Sequence, residues 1–128
     1  MNFLAIDYGT KNIGLARASS NMDLVLPFGS VENSDHQLAI KKLVEIIISE
    51  KIDKVIVGLP AGLDGSENKN TIKVRSFAES LAKDIIAPIE FMTEIFSSQA
   101  GDRMGGGVSR DEKAAMVILE GYLQKLQK

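Results

Sequence analysis

Three carboxylates stand where predicted elements begin or end, and their chemistry suggests a site for a hard metal cation. Asp7 follows the apolar run Phe3–Ile6, Glu94 closes the segment that starts at Pro88, and Asp111 opens the last predicted helix. A carboxylate at the end of a buried strand is costly unless its charge is compensated. Mg²⁺ and Mn²⁺ prefer oxygen ligands. We therefore predict that these three acids are the metal ligands and the catalytic groups.

Each acid also has an interpretation that needs no chemistry. A carboxylate in the first turn of a helix is favoured by the helix dipole, which would account for Asp111. Glu94 could be a solvated strand end. Asp7 is harder to explain in this way, because four apolar residues precede it. The set of three is more specific than any one of its members.

Composition excludes other kinds of active site. The chain has no Cys and one His, so disulfides, thiolate chemistry and the usual zinc sites are excluded. A Ser-His pair would have to use His36, which lies in the first turn of a predicted helix, where a solvated role is expected. Gly105–Gly107 is not followed by Lys-Ser or Lys-Thr, so this segment is not a nucleotide P-loop.

Length and charge set the class of protein. With 128 residues, the chain is expected to form a single domain over residues 1–128. A net charge of −2 argues against strong non-specific binding to nucleic acid, but permits a local basic patch or an acidic cluster that reaches phosphate through a metal ion. No apolar stretch approaches the roughly 20 residues of a membrane span, and no signal peptide is evident. We expect a cytoplasmic protein that does not contact membranes.

The first third of the chain shows strand patterns. Residues Asn2–Ser19 are predicted to form a β-hairpin whose turn is Gly9–Asn12. A third strand is predicted over Leu24–Glu32, where Pro27 indicates a sheet edge or a bend. Alternation in the first strand places Phe3, Ala5 and Asp7 on one face and Leu4, Ile6 and Tyr8 on the other.

The middle of the chain alternates helices and strands. A helix is predicted from a capping box at residues 34–37, in which Ser34 caps and Gln37 reaches back. Lys54–Gly58 is almost wholly apolar, as expected of a central parallel strand. After a loop at residues 59–68, helical spacing of apolar residues runs from Val74 to Ile85.

A fifth strand at Pro88–Thr93 precedes the last helix. A short helical turn is predicted from Ser97, followed by a loop over residues 101–108. The last helix begins at a second capping box, residues 109–112, and runs to about Leu126. This order of elements predicts an α/β domain with a mixed sheet. If the apolar face of the last helix packs on the sheet, Asp111 lies over the strand ends that carry Asp7 and Glu94.

Three segments resemble the bacterial YqgF-type proteins, which are known as candidate pre-16S rRNA nucleases and, earlier, as candidate Holliday junction resolvases. The segments read IDYGTKNIGLA from Ile6, VIVGLPAGLDGSE from Val55 and DEKAAMVILEGYL from Asp111. They occur in order over nearly the whole chain. The first segment and the Asp-x-x-Ala-Ala helix are the most specific.

The resemblance implies an RNase H-like fold with a five-stranded mixed sheet flanked by helices. It also implies a nuclease that uses Mg²⁺ or Mn²⁺ to hydrolyse structured nucleic acid, most simply the 5′ end of precursor 16S rRNA during ribosome biogenesis. The acidic positions of the family fall on Asp7, Glu94 and Asp111, the same residues that the physical argument selects. Candidate phosphate contacts are Lys11 in the hairpin turn and Lys69, Lys73 and Arg75 after the loop, although each could be ordinary solvated surface.

One segment departs from the family pattern. The family usually has Asp-Glu-Arg after the fifth strand, whereas this chain has Thr93, Glu94 and Ile95. Asn12 also stands where the family often has a basic residue. Loss of an Arg removes a side chain whose fork geometry suits phosphate oxygens, so activity could be weaker or directed at another substrate.

Three other functions remain open at this level. The protein could resolve branched DNA as a Holliday junction resolvase, which would require two active sites and therefore a dimer. It could be a non-catalytic RNA-binding factor of ribosome assembly. The segment IDYGT also resembles the first phosphate-binding hairpin of the actin, Hsp70 and sugar-kinase superfamily, although 128 residues supply only one of the two domains that close around ATP. Sequence does not decide between a monomer and a homodimer.

Overall fold

The described residues form a sheet of five strands, four of which run in the same direction. The computed structural model describes residues 1–20, 24–60, 69–94 and 109–126, without the side chain of Glu94. In these ranges the strands are β1 (Asn2–Asp7), β2 (Asn12–Ser19), β3 (Leu26–Glu32), β4 (Lys54–Pro60) and β5 (Ile89–Glu94). Their order is β3-β2-β1-β4-β5, with β2 antiparallel to β1 and β3, and β1, β4 and β5 parallel. The predicted mixed sheet is confirmed.

Strict alternation in β1 divides the core into two layers. Leu4 and Ile6 belong to the cluster on one face of the sheet, and Phe3 and Ala5 to the cluster on the other. All four side chains are buried. Because side chains of a strand alternate between faces, Asp7 lies on the same face as Phe3 and Ala5. The prediction for this strand is confirmed.

Helices cover both faces of the sheet within the described ranges. They are α1 (His36–Ser49), α2 (Lys69–Ala82) and α3 (Arg110–Leu126). The cluster with Leu4 and Ile6 includes buried residues of α1 and α2, whereas the cluster with Phe3 and Ala5 includes those of α3. None of these described helices is long and apolar enough to cross a membrane.

Helix capping follows the sequence at α3 but not at α1. Ser109 Oγ accepts from the Glu112 N–H at 3.2 Å, and Glu112 Oε1 accepts from the Ser109 N–H at 3.3 Å, which confirms the second capping box. The first prediction is wrong, because Asp35 is the N-cap of α1 and accepts from the Leu38 N–H at 3.1 Å.

The physical reason lies in the neighbouring carboxylates. The Ser34 hydroxyl donates to Glu32 Oε1 at 3.0 Å. Ser34, the predicted N-cap, is therefore bonded to a side chain instead of to the helix. A side-chain carboxyl oxygen is a stronger acceptor for a backbone N–H than a hydroxyl that is already engaged, so Asp35 caps the helix, which begins one residue later than predicted.

β3 is an edge strand of the sheet, one of the two possibilities that Pro27 indicates, and its pairing with β2 is irregular. The pairing of β2 with β3 passes from Gly14 opposite Ser30 to Ala16 opposite Pro27, which leaves one extra residue on β3. Gly29, within this bulge, has a φ of 80°, a conformation that favours glycine.

The central position of β4 is also confirmed, although this strand continues to Pro60 and takes in residues 59 and 60 of the predicted loop. The turn from Ser97 and the loop at residues 101–108 lie outside the described residues.

The three helices of the described residues all start at the same end of the sheet. β3 runs in the same direction as β1, β4 and β5, and α1, α2 and α3 follow β3, β4 and β5 in the chain. The helices therefore begin where the parallel strands end, which is also the edge that carries Asp7. This arrangement positions the candidate site.

Candidate metal and catalytic site

A glycine brings α3 into contact with the strand next to Asp7. Asp7 ends β1 and pairs with Gly14 of β2. A Cβ atom built at Gly14 would lie 2.0 Å from the backbone oxygen of Asp111 and 2.9 Å from its Cβ. Only a residue without a side chain fits there. The first turn of α3 therefore rests directly on β2 and places Asp111 beside Asp7.

Burial and a neighbouring charge act together on Asp7. Burial and the negative charge of Asp111 together raise the pKa of Asp7 to about 6, and burial is the larger cause. A divalent cation between the two groups would neutralise the charge that burial makes unfavourable. The oxygen-only donor set fits a hard cation such as Mg²⁺ or Mn²⁺. The structure thus brings together two of the three predicted ligands.

The third predicted ligand is located through its backbone. Glu94 is the last residue of β5 and pairs with Pro60, the last residue of β4. Since β1, β4 and β5 are parallel, Glu94 and Asp7 end their strands at the same edge of the sheet. The side chain of Glu94 lies outside the description. Among the side chains that the structure does describe, no group of three or more potential ligands forms a metal site.

Glu112 stands next to Asp111 but has a different role. Its Oε2 accepts from the Gly29 N–H of β3 at 2.7 Å, while Oε1 accepts from the Ser109 N–H. The Gly29 N–H holds the pKa of Glu112 below its ordinary value, and hydrogen bonds to Ser109 act in the same direction. Because both carboxylate oxygens bind backbone donors, Glu112 is not a candidate ligand.

A buried amide fixes the turn that follows Asp7. Asn33 Nδ2 donates to the carbonyl oxygen of Gly9 at 2.9 Å, and the Asn33 N–H donates to that of Lys11 at 2.8 Å. Asn33 is buried. Gly9 is also required, because a Cβ there would lie 2.3 Å from the Asn12 oxygen. The turn is therefore held from both sides while the side chain of Lys11 stays exposed.

The predicted phosphate contacts occupy different positions around this edge. Lys11 is in the turn, and Lys69 is the first residue of α2, whose Thr71 donates to the Pro60 carbonyl at 2.7 Å. Lys73 is exposed one helical turn after Lys69. Arg75 is different, because its guanidinium lies over the Phe91 ring at 5.2 Å. Arg110 is the exposed first residue of α3, whereas Arg103 lies outside the described residues.

Sequence reasoning missed three residues that shape the site. Gly14 was visible only as part of a motif, since its contact with Asp111 depends on how α3 docks. Glu112 was predicted as part of a cap, but its bond to Gly29 joins residues 83 positions apart. In the sequence, Asn33 is a polar residue between two predicted elements, and nothing there indicates that it is buried against the turn. His36 is exposed, as expected, and contacts Phe77 edge-on with ring centroids 6.2 Å apart.

A family model described as Holliday junction resolvase, under the name RuvX, matches residues 1–125. The chain belongs to the RuvX family. Its relatives include a candidate pre-16S rRNA nuclease of Maridesulfovibrio salexigens, 34% identical over 98% of this chain and 99% of the relative. A protein of the same name from Orientia tsutsugamushi is 32% identical over 97% of this chain and 84% of the relative. The predicted resemblance to YqgF-type proteins is confirmed.

Solved structures show the same fold in two resolvases. RuvC of T. thermophilus in complex with a Holliday junction substrate matches 99% of this chain and 95% of that chain, with a TM-score of 0.65 and 11% identity. The fowlpox virus resolvase in complex with Holliday junction DNA matches the full length of both chains, with a TM-score of 0.63 and 14% identity. The RNase H-like fold is confirmed, and RuvX membership confirms the prediction of a nuclease at the level of the family.

Proposed function

We propose that this chain is a metal-dependent nuclease that hydrolyses phosphodiester bonds in structured RNA, with the 5′ region of precursor 16S rRNA as its substrate. The observation that supports it most strongly is the placement of Asp111 over Gly14, beside the half-buried carboxylate of Asp7. Two acids crowded at a strand end are unfavourable in a merely structural role. The name that the curated relatives carry supports RNA as the substrate.

Asp7, Asp111 and Glu94 would hold Mg²⁺ or Mn²⁺. When bound, such ions supply an activated water and stabilise the charge of the leaving oxygen. The chain itself contributes rigidity: Gly14 allows the approach of α3, and Asn33 holds the turn after Asp7. Lys11, Lys69 and Lys73 would attract the phosphate backbone from the exposed side of the same edge. Arg75, stacked on Phe91, would add a guanidinium on the α2 side.

A second candidate function, the resolution of branched DNA, is favoured by the description of the matching family model as Holliday junction resolvase. In addition, the RuvC and fowlpox virus resolvase structures described above are complexes with a Holliday junction. Their identity to this chain is low, so they support the fold and leave the substrate open. The first assay should therefore test a branched DNA substrate beside the RNA. The nucleotide-binding interpretation of the hairpin receives less support, because RuvX membership favours the nuclease.

The decisive experiment offers both substrates to the same preparation. A labelled 5′ fragment of precursor 16S rRNA and a four-way DNA junction would be incubated with Mn²⁺, Mg²⁺ or EDTA. We expect cleavage of the RNA only with metal, and a loss of at least about 10³-fold in Asp7→Asn, because a ligand of the reaction centre is removed. Asp53→Asn is the matched control, since Asp53 accepts from the Asn2 N–H at the opposite edge of the sheet.

The alternatives predict different results in this assay. Cutting of the junction alone would replace the proposed substrate by branched DNA. Tight RNA binding without cutting in any metal would favour a non-catalytic assembly factor. Full activity of Asp7→Asn would contradict the assignment of the site. A cytoplasmic location stays a prediction throughout.

A further inference from the structure

We propose that Glu112 is a positioning residue that docks the first turn of α3 on the edge strand β3 and thereby sets the place of Asp111 beside Asp7. The inference rests on the proposed function, because it assigns Glu112 a part in building that metal site. Glu112 would touch neither substrate nor metal. It would act through Asp111 alone.

The first support is the bulge in β3. Between Gly14 and Ala16 of β2 lies one residue, whereas two residues of β3, Phe28 and Gly29, lie between their partners Ser30 and Pro27. A bulge leaves its extra residue without a place in the ladder of hydrogen bonds. Glu112 Oε2 accepts from the Gly29 N–H at 2.7 Å, the short distance expected of a charge-assisted bond.

The second support is the alignment of two contacts across adjacent strands. Asp7 pairs with Gly14, and Gly14 pairs with Ser30, the neighbour of Gly29. The first turn of α3 crosses this row, with Asp111 over Gly14 and Glu112 on Gly29. Glu112 thus fixes the side of this turn that faces β3, and Asp111 lies on the side that faces β2 and Asp7. A rotation or lift of the turn would move both residues together.

The third support is that something must oppose the repulsion between the two site acids. In the absence of a cation, the charge of Asp111 is unfavourable beside Asp7, and this repulsion opposes the docking of α3 on the sheet. Helix ends fray readily. The Glu112–Gly29 bond ties this end to a strand 83 residues away in sequence. Groups that orient metal ligands in this way typically change metal affinity 10–100-fold when altered.

The variant that tests this is Glu112→Asp, which keeps the charge but shortens the side chain by about 1.5 Å. We expect it to lose the Gly29 bond and to weaken Mn²⁺ binding by about 10–100-fold, measured by titration calorimetry on the full chain. In the cleavage assay, excess Mn²⁺ should restore kcat while KM for the nucleic acid stays unchanged. Mn²⁺ affinity is also measured for Glu112→Gln, which keeps the length of the side chain but removes its charge.

Ser109→Ala is the matched control for helix capping. It removes the hydroxyl that accepts from the Glu112 N–H but leaves the Gly29 bond in place. We expect it to lower the free energy of unfolding by about 1 kcal/mol and to leave Mn²⁺ affinity within about twofold of the wild type. An equal loss of affinity in Ser109→Ala and Glu112→Asp would mean that only capping matters, which overturns the inference.

Two further outcomes separate this inference from the proposed function. If the wild type binds Mn²⁺ and Glu112→Asp binds it equally well while Glu112→Gln does not, Glu112 acts through its charge alone and the positioning role is wrong. If the wild type binds no Mn²⁺ in the calorimeter, the proposed metal site is wrong, and so is the positioning role of Glu112 that depends on it.

Discussion

The two faces of the sheet are filled by side chains of different size. On the face covered by α1 and α2, the strands contribute large residues such as Leu4, Ile6 and Leu15. On the face covered by α3, the same strands β1 and β2 contribute Phe3 at the far end and then Ala5, Ala16 and Ala18, followed at the site end by Gly14. Both layers are buried, so the two faces differ in how closely a helix can approach the strands.

This difference separates stability from positioning. Large aliphatic side chains fill the space under α1 and α2, and burying them stabilises the fold. Small residues let the backbone of α3 come down on β2, until at Gly14 no side chain can be accommodated. A helix that rests on a strand in this way has little freedom to shift. The face with the smaller side chains is therefore the one that carries Asp7 and Asp111.

The strongest way to break the α3 face is Gly14→Ala. The new Cβ would lie 2.0 Å from the Asp111 oxygen, whereas real contacts are not closer than 3.0 Å, so α3 must move by about 1 Å. We expect about 1–3 kcal/mol of lost stability and about a hundredfold loss of cleavage, because a shift of this size misplaces a catalytic group. Urea denaturation and the RNA cleavage assay measure the two effects.

Gly121→Ala is the control on the same interface. A Cβ at Gly121 would meet only the end of the flexible Met92 side chain, at 3.3 Å. Ala also favours the helix by up to about 1 kcal/mol over Gly, so stability should be unchanged or higher. Normal cleavage by Gly14→Ala would contradict the close docking of α3 on which the comparison depends.

The contrast between the faces also explains what the sequence could predict. Alternation in β1 and the apolar run of β4 assign strands because burial dictates residue type at each position. The same logic placed the acids Asp7 and Glu94 at strand ends and Asp111 in a first helical turn. Each of these inferences depends on local pattern alone. They did not require knowledge of which strands pair.

What the sequence could not predict depends on contacts between distant segments. The N-cap of α1 was assigned to Ser34, because a capping-box pattern does not reveal that Glu32 engages this hydroxyl. The bond from Glu112 to Gly29 requires a bulge whose position is set by the pairing of β2 and β3. The role of Gly14 requires the docking of α3. Such features are decided by tertiary packing, which no local window contains.

Substitutions in the two buried layers test whether one face supplies stability and the other positions the metal ligands. Leu43→Ala removes a fully buried side chain of α1, and we expect a loss of about 2–5 kcal/mol in the free energy of unfolding. Mn²⁺ affinity of the folded protein should be unchanged, because α1 does not support Asp111. Leu119→Ala creates a similar cavity under α3. It should weaken both stability and Mn²⁺ binding, and equal metal affinity in the two variants would show that the faces do not divide their roles.

The carboxylate of Asp7 gives the α3 face a pH dependence that the other face lacks. Burial and the charge of Asp111 raise the pKa of Asp7 from 3.8 to about 6 in the folded state. The folded protein therefore binds this proton more tightly than the unfolded chain does. Stability from this group is complete below pH 4 and falls as the pH rises to about 6, by at most about 3 kcal/mol.

Urea denaturation in EDTA between pH 4 and 8 tests this, read as the difference between the wild type and Asp7→Asn. Taking the difference removes contributions of opposite sign, such as those of Glu90 and Glu112, whose pKa values are lowered by their hydrogen bonds to Lys54 and to Gly29. The difference should shrink in Gly14→Ala, where Asp111 is moved away, and stay the same in Leu43→Ala. A difference that does not vary with pH would mean that Asp7 is solvated, and that its carboxylate needs no cation to be tolerated at the end of β1.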